Sequence, residues 1–345
     1  MKVSVILKTN RTNEDTSYLE WTKKLEDEEF WKNPIFDQEF KEIARNAFKD
    51  TKSFIEPTIK TIIDQKYKNV ELVIVHRHPE LIKESVEKYS NQLDIKLLKE
   101  KHSVWHDLGD KYCTISNAIN TGIIHAEGDM IVSTDDCTLY PPNLINEMID
   151  IFNEKGCYSA PKGITFSIIE DGIYSTDMWI KRNVSGNILR EESIWHLNPG
   201  GRWLTTYGYC FNVLLKDALA INGFDESLDG ALVGDDGDFG DRLYLMTGIE
   251  RIVTKTPIYM FGHKYTNVKD FKLVRDNKKF KEFIGQRPIP KKLIANTWRP
   301  TKQQCELYKR WHLKEYGSID PNFDQCMNVK KFLLKEERRK IKKCV

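Results

Sequence analysis

Residues 130–142 read Met130-Ile131-Val132-Ser133-Thr134-Asp135-Asp136-Cys137-Thr138-Leu139-Tyr140-Pro141-Pro142. A short apolar run breaks into two acids and is followed by a pair of prolines. The run predicts a buried strand, with the acids at its carboxyl end. Working outward, residues 112–126 carry Ile115, Ala118, Ile119 and Ile123 at helical spacing. Residues 143–152 place Leu144, Ile145, Met148, Ile149 and Phe152 on one helical face. Further upstream lie a short strand at 95–98, a helix at 79–89 and a continuous apolar strand at 70–75. Before these come a helix with Phe54, Ile55, Thr58, Ile59, Ile62 and Ile63 on one face, opened by Pro57, and a first strand at 3–7. Strand and helix thus alternate four times before residue 155. That alternation predicts an α/β protein with a mostly parallel, doubly wound sheet. Such sheets bind ligands beyond the carboxyl ends of their strands, where Asp135 and Asp136 fall.

At 345 residues the chain exceeds the common single-domain size, so one large α/β domain with an appendage, or two domains, is expected. Apolar residues at 40% and charged residues at 30% suit a globular protein with a full core. A net charge of +2 gives no global field for nucleic acid, so electrostatic work must be local. The seven cysteines include no CxxC pair, which argues against structural zinc and for reduced thiols in a cytoplasmic protein. The first apolar stretch is too short for a signal peptide, and no run long enough to predict a membrane span occurs.

The remaining segments are less regular. Residues 11–50 predict a helical insertion whose aromatics, Trp21, Phe30, Trp31, Phe36 and Phe40, pack on the body or on an acceptor. Residues 157–168 predict one or two strands, and 170–206 a Gly- and Trp-containing loop on the acceptor side. A strand at 210–215, a helix at 239–246 and a strand at 258–261 follow. From about residue 264 the chain turns basic and helical. Its end is a solvated helix or a peripheral contact with anionic lipid. The domain division is therefore 1–263 and a C-terminal helical extension, 264–345.

Three groups of side chains carry possible chemistry. Asp135 and Asp136 can hold a divalent cation that neutralises a departing diphosphate, or can cap the helix that starts near Pro142. The run Gly234-Asp235-Asp236-Gly237-Asp238 offers carboxylates for proton abstraction, or acids favoured at a helix start. The aromatics Trp195, Trp203 and Tyr207 can stack on sugar rings or anchor a loop by packing.

The chain resembles the family 2 glycosyltransferases of the GT-A fold. Val3-Ser4-Val5-Ile6-Leu7-Lys8-Thr9-Asn10 is similar to that family's first strand, and Val70-Glu71-Leu72-Val73-Ile74-Val75 to its second. The stretch from Ala118-Ile119-Asn120 to Pro142 follows the family's "ALNxGI…A.GD.I…DxD…P" segment. Gly223-Phe224-Asp225-Glu226 with Gly234-Asp235-Asp236 follows its "GGFDE…GEDxDL" segment. The resemblance implies an inverting transfer of a sugar from a nucleotide-sugar, a UDP-sugar in particular, to an acceptor hydroxyl. It assigns Thr9, Asn10, His76 and Asn120 to the nucleotide-sugar, together with Asp135 and Asp136. It makes Asp236 the general base, with Asp235 beside it, and puts Trp203 and Asp238 toward the acceptor. A divalent cation, Mn2+ or Mg2+, is implied at Asp135 and Asp136, with His263 able to complete its site. Two departures stand out. Cys137 occupies the second acid position of Asp-x-Asp, and the second strand ends in His76-Arg77-His78 where the family has an Asp.

Two other readings fit parts of the sequence. In a haloacid-dehalogenase-like phosphatase, Asp135 would be the nucleophile, although that nucleophile follows the first strand and three strands precede Asp135 here. A non-catalytic carbohydrate-binding protein on a degenerate GT-A fold would account for Cys137 and His76.

Overall fold

The computed structural model describes residues 1–9, 23–32, 36–103, 106, 114–169, 172–177, 180–182, 188–191, 202–203, 210–226, 229 and 235–261. The chain runs through β1 (Val3–Thr9), α1 (Glu28–Trp31), α2 (Gln38–Phe48), α3 (Glu56–Ile63), β2 (Val70–His76), a 3-10 turn at Pro79–Leu81, and α4 (Lys83–Glu87). It continues through β3 (Asp94–Lys99), α5 (Ile115–His125), β4 (Met130–Asp135), β5 (Thr138–Leu139), α6 (Leu144–Lys155), β6 (Tyr158–Ala160) and β7 (Gly163–Ile169). Then come β8 (Gly172–Asp177), β9 (Ile180–Arg182), β10 (Ile188–Glu191), β11 (Arg202–Trp203) and β12 (Cys210–Leu214). The last elements are α7 (Leu215–Ala220), α8 (Asp235–Thr247), β13 (Arg251–Val253) and β14 (Ile258–Met260).

The central sheet has the order β12-β4-β1-β2-β3. Its first four strands in chain order are parallel, and β12 joins β4 antiparallel. β1 and β2 are buried along their whole length, which is why both read as mainly apolar, with Ser4 and Glu71 as interior exceptions. The pleat sends Val3, Val5 and Leu7 to one face and Ile6 to the other. One face packs on α2, α3 and α6, and the other on α5, α7 and α8. The chain builds β1, β2 and β3 outward, then returns to the far side of β1 for β4. This reversal is the switch point of a doubly wound sheet, and its crevice opens beside the carboxyl ends of β1 and β4. The expected α/β architecture is borne out.

α5 lies directly on β1, and Gly122 allows it. A Cβ at that position would fall 2.4 Å from Ile6 Cγ2. The turn after α7 needs Asn222 and Gly223 at φ of 69° and 67°, a region open to Gly and tolerated by Asn. It delivers Phe224 to a stack on Phe239 of α8, with ring centroids 4.1 Å apart.

The aromatics of the N-terminal insertion pack on the body. Phe30, Trp31, Phe36 and Phe40 are buried together, and Phe40 lies 5.2 Å from the Tyr259 ring of β14. Asp27 and Asp37 cap α1 and α2 by accepting from Glu29 N and Phe40 N. Trp21 lies outside the described residues.

The expectation of a loop over 170–206 is corrected. β8, β9 and β10 extend β7 in a six-stranded sheet of order β10-β9-β8-β7-β14-β5, and β11 joins β13 and β6 in a third. β9, β10 and β11, of two to four residues, carry too little periodicity to register in sequence, and their pairing decides them; β8, of six, is fixed by pairing with β7 and β9. The C-terminal extension expected over 264–345 lies outside the described residues. Among those described, no helix is long and apolar enough to cross a membrane.

Two buried charges stand out in this frame. Glu71 of β2 is enclosed beside the amino ends of the strands. Lys2 and Lys96 pair with it at 2.9 and 3.1 Å, the Ser4 hydroxyl and Glu127 N donate to it, and its carboxyl is held at about 2 even though burial opposes its charge. Arg251 is fully buried, with its guanidinium 5.7 Å from the Tyr158 ring centroid and 5.8 Å from that of Phe211. Among the described residues none of its three nitrogens has a hydrogen-bond partner, and burial pulls its pKa down to about 9.

Candidate functional site

The site forms at the switch point. The register sets Lys8 of β1 beside Asp135 of β4, and Thr9 beside His76 of β2. Lys8 Nζ makes an ion pair with Asp135 Oδ1, and the Thr9 hydroxyl donates to Asp136 Oδ2. Burial works against the Lys8 charge. Asp135, Asp235 and Asp136 nonetheless hold the ammonium above its ordinary pKa. Charges from two distant segments, 135–136 and the first turn of α8, therefore act on one buried cation. Asp235 gains proton affinity through burial and then through the neighbouring charge of Asp236, with Lys8 opposing. Asp236 Oδ1 accepts from Gly237 N at 2.7 Å.

The turn that carries Asp135 and Asp136 is clamped. The Thr138 hydroxyl donates to Asp135 O at 2.7 Å, Thr138 N donates to Thr58 of α3 at 3.1 Å, and Phe261 N donates to Cys137 O at 3.0 Å. Gln65 holds the proline pair by donating to Pro141 O at 2.9 Å and accepting from Ile145 N at 3.2 Å. Cys137 closes the turn at φ 56° and sends its thiol into the apolar core, where it is 1% exposed. The residue at the expected second acid position thus packs in the core, not in the crevice.

Asn120 is a brace between motifs. Its Nδ2 donates to Phe224 O and Glu226 Oε1, both at 2.9 Å, and its Oδ1 accepts from Phe224 N at 2.7 Å. Asp229 caps α5 by accepting from Ser116 N at 2.8 Å and Asn117 N at 3.1 Å. Lys101 pairs with Glu226 and bonds Asn117, which donates to Glu100 at 2.8 Å. The Gly223–Glu226 segment and the helix of the Asn120 motif are therefore one polar assembly. His76 sits fully buried at the end of β2, its Nδ1 accepting from His78 N at 2.8 Å.

The structure pairs Thr9 with Asp136 and sets Thr9, His76 and Asp135 at the ends of β1, β2 and β4; the charge of Asp235 reaches Lys8, and Asp236 is its neighbour on α8. It sets Asn120 behind them. Asn10 and His263 lie outside the described residues. Trp203 and Asp238 are described only through the backbone of β11 and α8. Sequence reasoning passed over Lys8, Glu226 and Asp229. A lysine ending an otherwise apolar run is a signal that could have exposed Lys8. Asp229 gives no local signal, because its partners lie 113 and 112 residues away.

The divalent cation expected at Asp135, Asp136 and His263 does not fit the described side chains. The Lys8 ammonium already occupies the Asp135 carboxylate, and Cys137 points into the core. Among the described residues no three His, Cys, Asp or Glu side chains converge as a metal site would require.

Fold and site together define a doubly wound α/β protein with an acidic crevice at its switch point. Residues 43–206 match the sequence model of the family described as Glycosyl transferase family 2. The resemblance read from the sequence is borne out over that segment. No curated protein matches the chain. Among solved structures, S. aureus TarS 1-349 is 15% identical, with 92% of this chain and 73% of that one covered and a TM-score of 0.46. The same protein in complex with UDP-GlcNAc is 13% identical over 91% of this chain and 73% of that one, with a TM-score of 0.46. GalNAc-T7 with UDP, GalNAc and Mn2+ is 11% identical over 92% of this chain and 57% of that one, with a TM-score of 0.48. At these identities and scores the three carry no argument about donor, acceptor or metal.

Proposed function

We propose that this chain is a nucleotide-sugar-dependent glycosyltransferase that moves a sugar, with inversion, from a UDP-sugar to an acceptor hydroxyl. The observation that carries the reading is the pairing of Lys8 with Asp135 and of Thr9 with Asp136 at the sheet's switch point, where the charge of Asp235 acts on the same lysine. The family match over 43–206 supports it. Thr9, His76 and Asn10 are assigned to the nucleoside, and Asp135 and Asp136 to the diphosphate side. Asn120 acts by holding the Gly223–Glu226 segment against α5. Trp203 and Asp238 are assigned to the acceptor.

In the transfer, the acceptor oxygen attacks the anomeric carbon as Asp236 takes its proton. The bond from that carbon to the diphosphate oxygen breaks, and the nucleoside diphosphate leaves. Asp235, raised in proton affinity by burial and by the charge of Asp236, sits beside the base. The cation that the family resemblance implies has no step here.

The test is Asp236→Asn, read by sugar transfer and by UDP-sugar affinity. Transfer should fall by about 10²-fold or more, the scale of a positioned base, with affinity within a few-fold of the parent. Near-normal turnover would remove Asp236 from the role. Phosphate release from small phosphoesters without UDP release from UDP-sugars would favour the phosphatase reading. Donor binding without turnover on any acceptor would favour a binding protein.

A further inference from the structure

We propose that Lys8 supplies the positive charge at the donor site, so that the chain binds its nucleotide donor without a divalent cation. The inference rests on the transferase reading and deepens it by naming what faces the diphosphate. Lys8 stands at the carboxyl end of β1, on the register position of Asp135, at the mouth of the switch-point crevice. It is only 7% exposed, and an ammonium so enclosed requires compensation. Asp135 gives that compensation directly, with Asp136 and Asp235 nearby.

A divalent ion on the same carboxylate edge would stand within a few ångströms of this ammonium and be repelled by it. Among the described residues it would also lack a third ligand. The residue that should supply one by sequence position, Cys137, is fixed in the core by a left-handed turn whose carbonyl is tied to Phe261 N. Asp135 is 26% exposed, so the ion pair borders the crevice, and an anion entering there meets the ammonium without crossing the core. Lysine serves diphosphate oxygens well as a compact point charge.

The experiment measures binding of UDP, GDP and CDP to the full chain by calorimetry, in EDTA and in Mn2+. One nucleotide should bind in EDTA with affinity within about twofold of that in Mn2+, since no ion is involved in the site. In Lys8→Met, affinity in EDTA should fall at least about tenfold, and Mn2+ should recover part of it through the freed Asp135 and Asp136. Electron paramagnetic resonance should then detect bound Mn2+ in the folded variant and none in the parent. Binding by the parent that vanishes in EDTA and returns with Mn2+ would overturn the Lys8 inference while leaving the transferase reading intact. Failure of all three nucleotides to bind under either condition would overturn both.

Discussion

Arg251 places an unpaired guanidinium inside the apolar cluster that also holds Phe224 and Phe239. Its two aromatic neighbours recover part of the lost hydration through their ring faces. A buried charge with no acceptor is nonetheless a liability for folding, and an apolar side chain of similar volume is often better. Arg251→Met should therefore raise unfolding stability by about 1–4 kcal/mol, read as a higher urea midpoint at unchanged slope. A lower midpoint would mean that the guanidinium is compensated in the folded protein. At this scale the sequence was only partly legible. It exposed Asp135, Asp136, Asp235 and Asp236, because acids at a strand end and at a helix start stand out against apolar runs. It did not show that Lys8 neutralises one of them, since that pairing is fixed by the β1–β4 register across 127 residues.

The long elements were the most legible. β1, β2, β4, α5 and α6 follow from apolar runs and helical spacing, and each appears within a few residues of its expected bounds. β9 to β11 were not, because strands of two to four residues take their state from neighbouring strands, and the six residues of β8 are fixed by pairing with β7 and β9. α8 begins at Asp235, four residues ahead of the expected start at 239, because the acids open its first turn. The contact of α5 with β1 depends on one missing side chain. Gly122→Ala places a methyl 2.4 Å from Ile6 Cγ2, so the helix or the Ile6 side chain must shift. The overpacking should cost about 1–3 kcal/mol despite the better helix propensity of alanine. Thermal unfolding checks this, and an unchanged or higher midpoint would show that Ile6 repacks freely.

For the whole molecule, Glu71 ties the amino end of the sheet together and gives the fold a pH dependence. Its carboxyl is held at about 2, against an ordinary value of 4.5. A depressed acid stabilises the folded state above its unfolded pKa, and that contribution is lost as pH falls toward the folded one. The window is thus about pH 4.5 to 2, and the contribution at neutral pH is ~3 kcal/mol. Glu71→Gln should flatten the stability curve across that window in urea titrations at stepped pH. A curve as steep as the parent's would assign the acid lability to other groups.

The Asp229 cap has a consequence in time. The first turn of α5 donates to a carboxylate that leaves the ribosome more than a hundred residues later. β4 likewise waits for β12 to pair its outer edge. The crevice therefore cannot be completed before the chain has passed residue 236. A nascent chain that ends near residue 206, where the family segment stops, holds β1 to β4 with an open edge, an uncapped helix and no Asp235 or Asp236. Such intermediates are natural clients for chaperones, and protection of α5 amides against hydrogen exchange should rise only once the chain has passed residue 229.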